Sequence, residues 1–197
     1  YETCIVPATG SIDVEVQNQT FKKIGKRQHI WEGNPEGVYI PVNCEAKLSC
    51  TSDEVEVFIS GAKHNQTHSA FAIREDDIDM VQYGSDDTKT HRKIKHILGK
   101  TPAGTVGKLL VSELFTVGAG GWSGFPPHKH EVDLLPEESR HNEVYNFRFN
   151  PPNGFGAQFL TPDWQDFGPV YHIRDNSTFI FDKGYHPCVA APGFEMY

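Results

Sequence analysis

The sequence is short of the features that mark membrane proteins, disulfide scaffolds and nucleic-acid-binding proteins. Its 197 residues include only 2 Met and 4 Cys, with no C-x-x-C pair, and the formal net charge is −8. No apolar run approaches the roughly 18–20 residues of a membrane span, so no membrane partner is expected. A negative chain without a basic run lacks the electrostatic signature of nucleic-acid binding, so that partner is not expected either.

The cysteines and the chain ends bear on location and completeness. Four cysteines are too sparse for a disulfide framework in a chain of this length, so we interpret them as reduced thiols and expect a cytoplasmic protein. Asn-x-Ser/Thr tripeptides keep a secreted alternative open, at Asn18, Asn65 and Asn176. The chain begins with strand-like YETCIVPATG and stops at GFEMY, and we expect residues to be missing at both ends.

The remaining composition favours β structure. Segments rich in Val, Ile, Phe and Tyr recur every eight to twelve residues, with Gly, Pro, Asn or Asp between them, as in GVYIPVNCEAKLSC. This spacing is typical of β-sandwiches and β-barrels. No window of eleven or more residues keeps a convincing helical pattern of apolar residues. The sequence therefore predicts an all-β protein with little helix.

Two β units can be distinguished along the chain. The polar segment from His64 to Arg92 has the composition of a long connection, and β-rich segments resume after it. Because PEGVYIPVNC in the first half resembles FIFDKGYHPC in the second, two copies of one jelly-roll-like fold are the simplest interpretation. We predict an N-terminal unit at 1–65, a linker at 66–92 and a C-terminal unit at 93–197.

Histidines and glutamates concentrate between positions 126 and 145, in PPHKHEVDLLPEESRHNEVY. In a strand, alternate side chains share a face, so His128 and His130 would point the same way. Glu143 begins EVYNFRF and heads a row of aromatic residues, where a carboxylate is costly unless it is paired or binds a metal. His186, just after a turn in DKGYHPC, is the best remaining imidazole. Imidazoles with a carboxylate suit Zn²⁺, Mn²⁺ or Fe²⁺.

Other histidines and glutamates compete for these roles. His141, Glu137 and Glu138 lie in LLPEESRHN, whose composition favours a solvated loop. His172 alternates with Tyr171 and Ile173 and is either a core or a pocket residue. An H-x-H pair can also arise by chance in a chain with 10 His. Glu143 and His186, each at the start of a predicted strand, favour the metal site.

Longer motifs resemble a known enzyme family. The runs GGWSGFPPHKHEVDLLPEE, EVYNFRFNPPNGFGAQ, VYHIRD and DKGYHPCVAAPGFEMY resemble the 5-deoxy-glucuronate isomerases of myo-inositol catabolism, which are related to the pectin-pathway isomerase acting on 5-keto-4-deoxyuronate. The resemblance implies a bicupin and aldose–ketose isomerisation of 5-deoxy-glucuronate to 5-dehydro-2-deoxy-gluconate. It also implies that the metal ligands are His128, His130, Glu143 and His186, and that the first cupin has lost its own.

The sequence departs from the family at three positions: Asn142, Asn146 and Asn176. The family often has an acidic residue, an aromatic residue and a glycine at these places. These departures affect expected substrate contacts rather than the metal ligands.

The implied reaction defines further candidate residues. Proton transfer needs a group within hydrogen-bond reach of the reacting carbon, and the candidates are a metal-bound hydroxide, His172 and Tyr145. A sugar acid also needs a partner for its carboxylate, which Arg binds with two parallel hydrogen bonds. The candidates for substrate binding are Arg174, Arg148, Gln158 and Lys129. A sugar-acid-binding cupin without catalysis and a metal-dependent dioxygenase are the alternatives, and homo-oligomerisation stays open.

Overall fold

The computed structural model describes residues 1–99 and 104–197, and these divide into two compact units. Unit 1 comprises Tyr1–Val81 with Lys95–Glu113, and unit 2 comprises Gln82–Ile94 with Leu114–Tyr197. The predicted cupin boundaries at residues 65 and 92 stay a prediction.

Unit 1 contains two antiparallel sheets. Its strands are β1 (Glu2–Thr9), β2 (Ile12–Val16), β3 (Gln19–Ile24), β4 (Gly37–Ile40), β5 (Ala46–Cys50), β6 (Glu56–Ala62) and β7 (Phe71–Ile73). One sheet has the order β6-β1-β4-β7 and the other β3-β2-β5. A 3-10 helix at Glu75–Asp77 follows β7.

Strand β1 is buried on both faces, which explains its almost continuous apolar sequence. Ile5 packs into one hydrophobic cluster with Val14 and Val38. Its neighbours Cys4 and Val6 point the other way into a second cluster. This is the two-residue period of a strand, with both of its faces in the core of unit 1.

The points at which the chain passes from one unit to the other fall within three further strands. They are β8 (Asp79–Tyr83), β9 (Arg92–Leu98) and β10 (Val111–Thr116), and they form a sheet in the order β10-β9-β8. The segment predicted as a linker, 66–92, therefore contains β7, the 3-10 helix and β8.

Unit 2 is also built of short antiparallel strands. These are β11 (Gly121–Ser123), β12 (Glu143–Asn146), β13 (Phe149–Asn150), β14 (Phe155–Phe159), β15 (Val170–Arg174), β16 (Thr178–Phe181), β17 (Cys188–Ala190) and β18 (Glu195–Met196). The order β11-β17-β14-β15 forms a four-stranded sheet, and β12 pairs with β16 and β13 with β18.

The core of unit 2 holds the segments that carry the predicted site. Phe147, Phe149 and Ile173 are buried with Cys188 and Met196. Burial raises the pKa of the Cys188 thiol to about 12. The aromatic row predicted from EVYNFRF is confirmed, since Tyr145 packs against this cluster. Glu143 begins the same segment, so the packing of Tyr145 and Phe147 places Glu143 beside this core.

The prediction of an all-β protein with little helix is confirmed. Within residues 1–99 and 104–197 the only helical element is the 3-10 turn at Glu75–Asp77. Over the same residues, no helix has the length and apolar character needed to cross a bilayer. The four cysteines are free thiols.

Candidate metal centre

The predicted ligands His128, His130, Glu143 and His186 come together in unit 2. The His128 ring lies 5.2 Å, centroid to centroid, from both the His130 and the His186 ring. Glu143 Oε1 lies 3.4 Å from His130 Nε2 and 3.3 Å from His186 Nε2. Imidazole nitrogens of His128, His130 and His186 lie within 4.8 Å of one another, close enough to share one ion.

The strand geometry assumed for His128 and His130 is wrong. Both lie outside the strands, in the segment between β11 and β12. Pro126 and Pro127 immediately precede them, and proline cannot donate a ladder hydrogen bond. The two rings nevertheless converge on one place, so the i, i+2 spacing identified the pair although the element was not a strand.

Glu143 and His186 are positioned by paired strands. Glu143 begins β12 and lies opposite Phe181, the last residue of β16. Phe181 packs against the His186 ring, with centroids 5.0 Å apart. After the turn that follows β16, Tyr185 forms an antiparallel bridge with Thr161. The short chain path from Phe181 to His186 therefore returns the imidazole to the carboxylate.

Hydrogen bonds at Nδ1 fix the orientation of each predicted imidazole ligand. His128 Nδ1 lies 2.9 Å from the carbonyl oxygen of Pro126, and His186 Nδ1 lies 2.8 Å from that of Gly184. Because a carbonyl oxygen can only accept, Nδ1 carries the proton in both rings. Nε2 then has a free lone pair when the ring is neutral, as metal binding requires.

His130 is held in a similar way by a carboxylate. Its Nδ1 lies 2.7 Å from Glu138 Oε1. Donation from Nδ1 to a carboxylate is the usual support of a metal-binding histidine, because it orients the ring and increases the basicity of Nε2. Glu138 was assigned to a solvated loop from the sequence, and its contact with His130 was missed.

His186 provides the clearest sign that the cluster fits a metal ion. Its side chain is 3% exposed, and its Nε2 lies 3.3 Å from Glu143 Oε1 but makes no hydrogen bond of good geometry with any of the described residues. A buried polar atom without a partner is costly in a native protein. An ion at the centre of the cluster would satisfy this nitrogen.

The Glu143 carboxylate is held in its charged form. Tyr145 donates a hydrogen bond of 2.6 Å from its hydroxyl to Glu143 Oε2. Burial acts to raise the pKa of Glu143, but the neighbouring His186 and the Tyr145 hydrogen bond outweigh it and lower the pKa to about 2. Burial also lowers the pKa of His128 and so favours its neutral, ligating form.

His141 joins the cluster against expectation. The sequence favoured a solvated loop, yet its Nε2 lies 3.6 Å from Glu143 Oε1 and its ring stacks on His130 at 4.1 Å. His130, His141 and Glu143 form a second group able to hold a metal ion. The signal was present in the sequence, because His141 and Glu143 have the same i, i+2 spacing as His128 and His130.

A small cavity opens on the cluster. Its lining consists of His130, His141, Glu143, Phe181, Asp182, Lys183, Gly184 and His186. Lys183 is the only member of this set with a permanent positive charge, and its side chain is exposed. The lining of the cavity therefore combines imidazoles and carboxylates with the ammonium group of one lysine.

The two predicted proton-transfer residues have different surroundings. Tyr145 contacts the cluster through Glu143 and lies edge-on to the His186 ring, with centroids 6.1 Å apart. His172 is exposed on β15 and packs against Phe155, with centroids 5.7 Å apart. Of the two, only Tyr145 touches a predicted ligand in these contacts.

The predicted substrate-binding residues lie outside the lining of the cavity. Gln158 is fully buried on β14, and its Nε2 donates to the backbone oxygens of His186 and Pro187. Lys129 forms an ion pair of 3.0 Å with Glu131. Arg148 Nε donates to Asn146 Oδ1, and Arg174 is exposed at the end of β15. Gln158 thus supports the backbone at His186.

Comparisons with known proteins agree with the motif resemblance. The chain is 32% identical to a 5-deoxy-glucuronate isomerase of Geobacillus kaustophilus, over all of this chain and 69% of that protein. It is 31% identical to the enzyme of the same name from Bacillus subtilis, over all of this chain and 71% of that protein.

Solved structures extend the similarity to the fold. An IolB-like protein from Salmonella typhimurium superposes with a TM-score of 0.86 at 27% identity, covering 99% of this chain and 72% of that one. A glyoxylate-induced protein from Pseudomonas aeruginosa gives a TM-score of 0.55 at 12% identity, over all of this chain and 63% of that one, and shows a shared fold alone. The model of the KduI/IolB family matches residues 1–197, and the chain belongs to that family.

Proposed function

We propose that this protein is a metal-dependent aldose–ketose isomerase that converts 5-deoxy-glucuronate to 5-dehydro-2-deoxy-gluconate in inositol catabolism. Relatives that match the whole chain are named 5-deoxy-glucuronate isomerase. The structural observation that carries the proposal is the grouping of His128, His130 and His186 in unit 2, with His130 and His186 also within 3.4 Å of the Glu143 carboxylate. The two units correspond, in this proposal, to two cupin domains with the metal site in the second.

The proposed ligands are His128, His130, Glu143 and His186. Neutral imidazoles with one carboxylate suit Zn²⁺, Mn²⁺ or Fe²⁺. A divalent ion bound there would act as a Lewis acid toward the carbonyl oxygen of the sugar acid. The protein holds each Nε2 ready for this role through the hydrogen bonds at Nδ1.

The residues around the ligands orient the carboxylate and bound substrate. Tyr145 donates a hydrogen bond from its hydroxyl group to Glu143 Oε2, so we assign it the positioning of that carboxylate. His172 stays a predicted proton-transfer residue without a contact to the cluster. For the substrate carboxylate we add Lys183 to the four predicted residues, because Lys183 lines the cavity and they do not.

The decisive experiment combines metal analysis with an isomerase assay. We expect the purified protein to contain stoichiometric metal, to lose turnover of 5-deoxy-glucuronate on chelation, and to regain it when the ion is restored. The His128→Ala variant should lose both metal and turnover, whereas His29→Ala, an exposed histidine in unit 1, should lose neither. Turnover that persists without metal would overturn the mechanism.

The two alternatives give different results in the same preparation. A binding cupin would retain metal and bind the sugar acid without converting it. A dioxygenase would consume oxygen with its substrate. The isomerase is placed first because the whole of this chain matches relatives named as isomerases.

The role of Lys183 can be tested by separating substrate binding from turnover. In Lys183→Gln we expect KM for 5-deoxy-glucuronate to rise about tenfold with metal content unchanged, because a charge-assisted hydrogen bond contributes roughly 1.5–3 kcal/mol. An analogue with a hydroxymethyl group in place of the carboxylate should not distinguish the variant from wild type. Equal KM values for the sugar acid would refute the assignment.

A further inference from the structure

His141 approaches Glu143 almost as closely as two of the proposed ligands, His130 and His186, do. Its Nε2 lies 3.6 Å from Glu143 Oε1, compared with 3.4 Å for His130 and 3.3 Å for His186. The side chain also lines the cavity. By distance to the carboxylate, three imidazoles rather than two surround Glu143.

These separations match neighbouring donors around one ion. With metal–ligand bonds of about 2.1 Å, two neighbouring donors of a five-coordinate ion lie roughly 3.0 Å apart at a right angle and roughly 3.6 Å apart at 120°. The distance from His141 to Glu143 is close to the second value. It is also in the same range as those of His130 and His186.

The hydrogen bonds of His141 leave the correct nitrogen free. Its Nδ1 lies 2.9 Å from the carbonyl oxygen of Ser139, so Nδ1 is the donor and Nε2 keeps its lone pair in the neutral ring. The backbone N–H of His141 donates to the carbonyl oxygen of His130 over 3.3 Å. The loop is therefore tied to a proposed ligand, with the imidazole already turned toward Glu143.

We propose that His141 is a fifth protein ligand of the metal ion. The inference rests on the proposed metal site. Its side chain is 34% exposed, against 3% for His186 and 18% for Glu143. A donor on a loop is held less firmly than one packed in the core, so its removal weakens metal binding without abolishing it.

The test uses Co²⁺ as a spectroscopic probe of the metal-free protein. His141→Ala and His141→Phe are compared with wild type, because Phe keeps the stacking on His130 but has no donor atom. We expect both variants to bind one Co²⁺ with about tenfold lower affinity. Their visible absorption should be stronger than that of wild type, because Co²⁺ absorbs more strongly as its coordination number falls.

The controls separate this inference from the metal site itself. His29→Ala should behave as wild type, and His128→Ala should lose stoichiometric Co²⁺. If His141→Phe has the affinity and spectrum of wild type, His141 only stacks on His130 and the proposal is wrong. If wild type itself binds no stoichiometric Co²⁺, the proposed metal site fails, and the inference fails with it.

Discussion

Each unit contains a glutamate that accepts a hydrogen bond from a tyrosine, and Glu2 is fully buried whereas Glu143 is partly buried. Tyr39 donates to Glu2 Oε2 over 2.6 Å in unit 1, and Tyr145 donates to Glu143 Oε2 over the same distance in unit 2. The two glutamate–tyrosine pairs differ in the surroundings of the other carboxylate oxygen, Oε1. Glu2 Oε1 accepts from the backbone N–H groups of Lys108 and Leu109, whereas Glu143 Oε1 faces imidazoles.

This difference separates a structural carboxylate from one available for chemistry. Glu2 also accepts from the N–H of Gly107, so its acceptor capacity is used within the fold. A fully hydrogen-bonded carboxylate stabilises the loop that it binds and offers little to a ligand. Among the described residues, groups of three or more side chains suited to a metal ion occur only around Glu143, in unit 2.

The largest expected effect comes from Glu143→Gln. An amide oxygen is uncharged and a far poorer ligand than a carboxylate, so we expect stoichiometric metal and isomerase turnover to be lost. The unfolding midpoint of the metal-free protein should stay close to that of metal-free wild type. Metal analysis, turnover and urea unfolding measure the three quantities, and retention of tightly bound metal would contradict the ligand assignment.

The corresponding substitution in unit 1, Glu2→Gln, should lower stability and leave metal binding unchanged. Glu2→Gln removes the charge from several hydrogen bonds, each worth roughly 1.5–3 kcal/mol when one partner is charged. Because the amide keeps part of this bonding, we expect a loss of about 2–3 kcal/mol in the free energy of unfolding, with one metal ion still bound. Loss of metal with unchanged stability would break the distinction between the two glutamates.

A smaller effect is expected from Glu138→Ala. This carboxylate holds His130 through Nδ1 and is itself no proposed ligand. Changes in such supporting groups typically cost about 10–100-fold in metal affinity or activity. We expect a loss near the lower end, because Glu138 lies on an exposed loop. Glu137→Ala is the neighbouring control, and equal metal affinities in the two variants would remove Glu138 from the site.

The smallest effect is a difference in pH dependence. Burial acts to raise the pKa of Glu2, but the hydrogen bonds from Tyr39 and the backbone lower it overall from 4.5. A carboxylate with a lowered folded-state pKa contributes stability above its unfolded-state pKa and loses it as the pH falls through the folded-state value. The stability gap between wild type and Glu2→Gln should therefore be constant above about pH 5 and shrink below it. Urea unfolding of both proteins from pH 7 to pH 3.5 measures the gap.

The sequence predicted the residues at the site better than their local structure. Glu143 and His186 could be identified because a charged or polar group at the start of an inward-facing strand needs a partner. His128 and His130 were found by their spacing, although they lie outside the strands. His141 and Glu138 were assigned to solvent because a loop composition does not reveal which side chains turn back onto the core.

The role of Glu2 was beyond reach of sequence patterns for a different reason. Its partners Gly107, Lys108 and Leu109 lie more than a hundred positions away, and they bind through backbone groups that every residue possesses. Side-chain chemistry leaves a trace in the sequence, whereas backbone donors do not. The same limit applies to Gln158, whose amide reaches the backbone at His186.

Gln158 connects the middle of a sheet to the segment that carries His186. Gln158 is fully buried on β14, and its amide nitrogen donates hydrogen bonds to two successive carbonyl oxygens, those of His186 and Pro187. Local opening of β14 would break these hydrogen bonds and free the His186 imidazole. A metal ion bound to His186 would therefore make this opening less favourable. Binding of a metal ion at the site should therefore slow deuterium uptake by the backbone amides of β14.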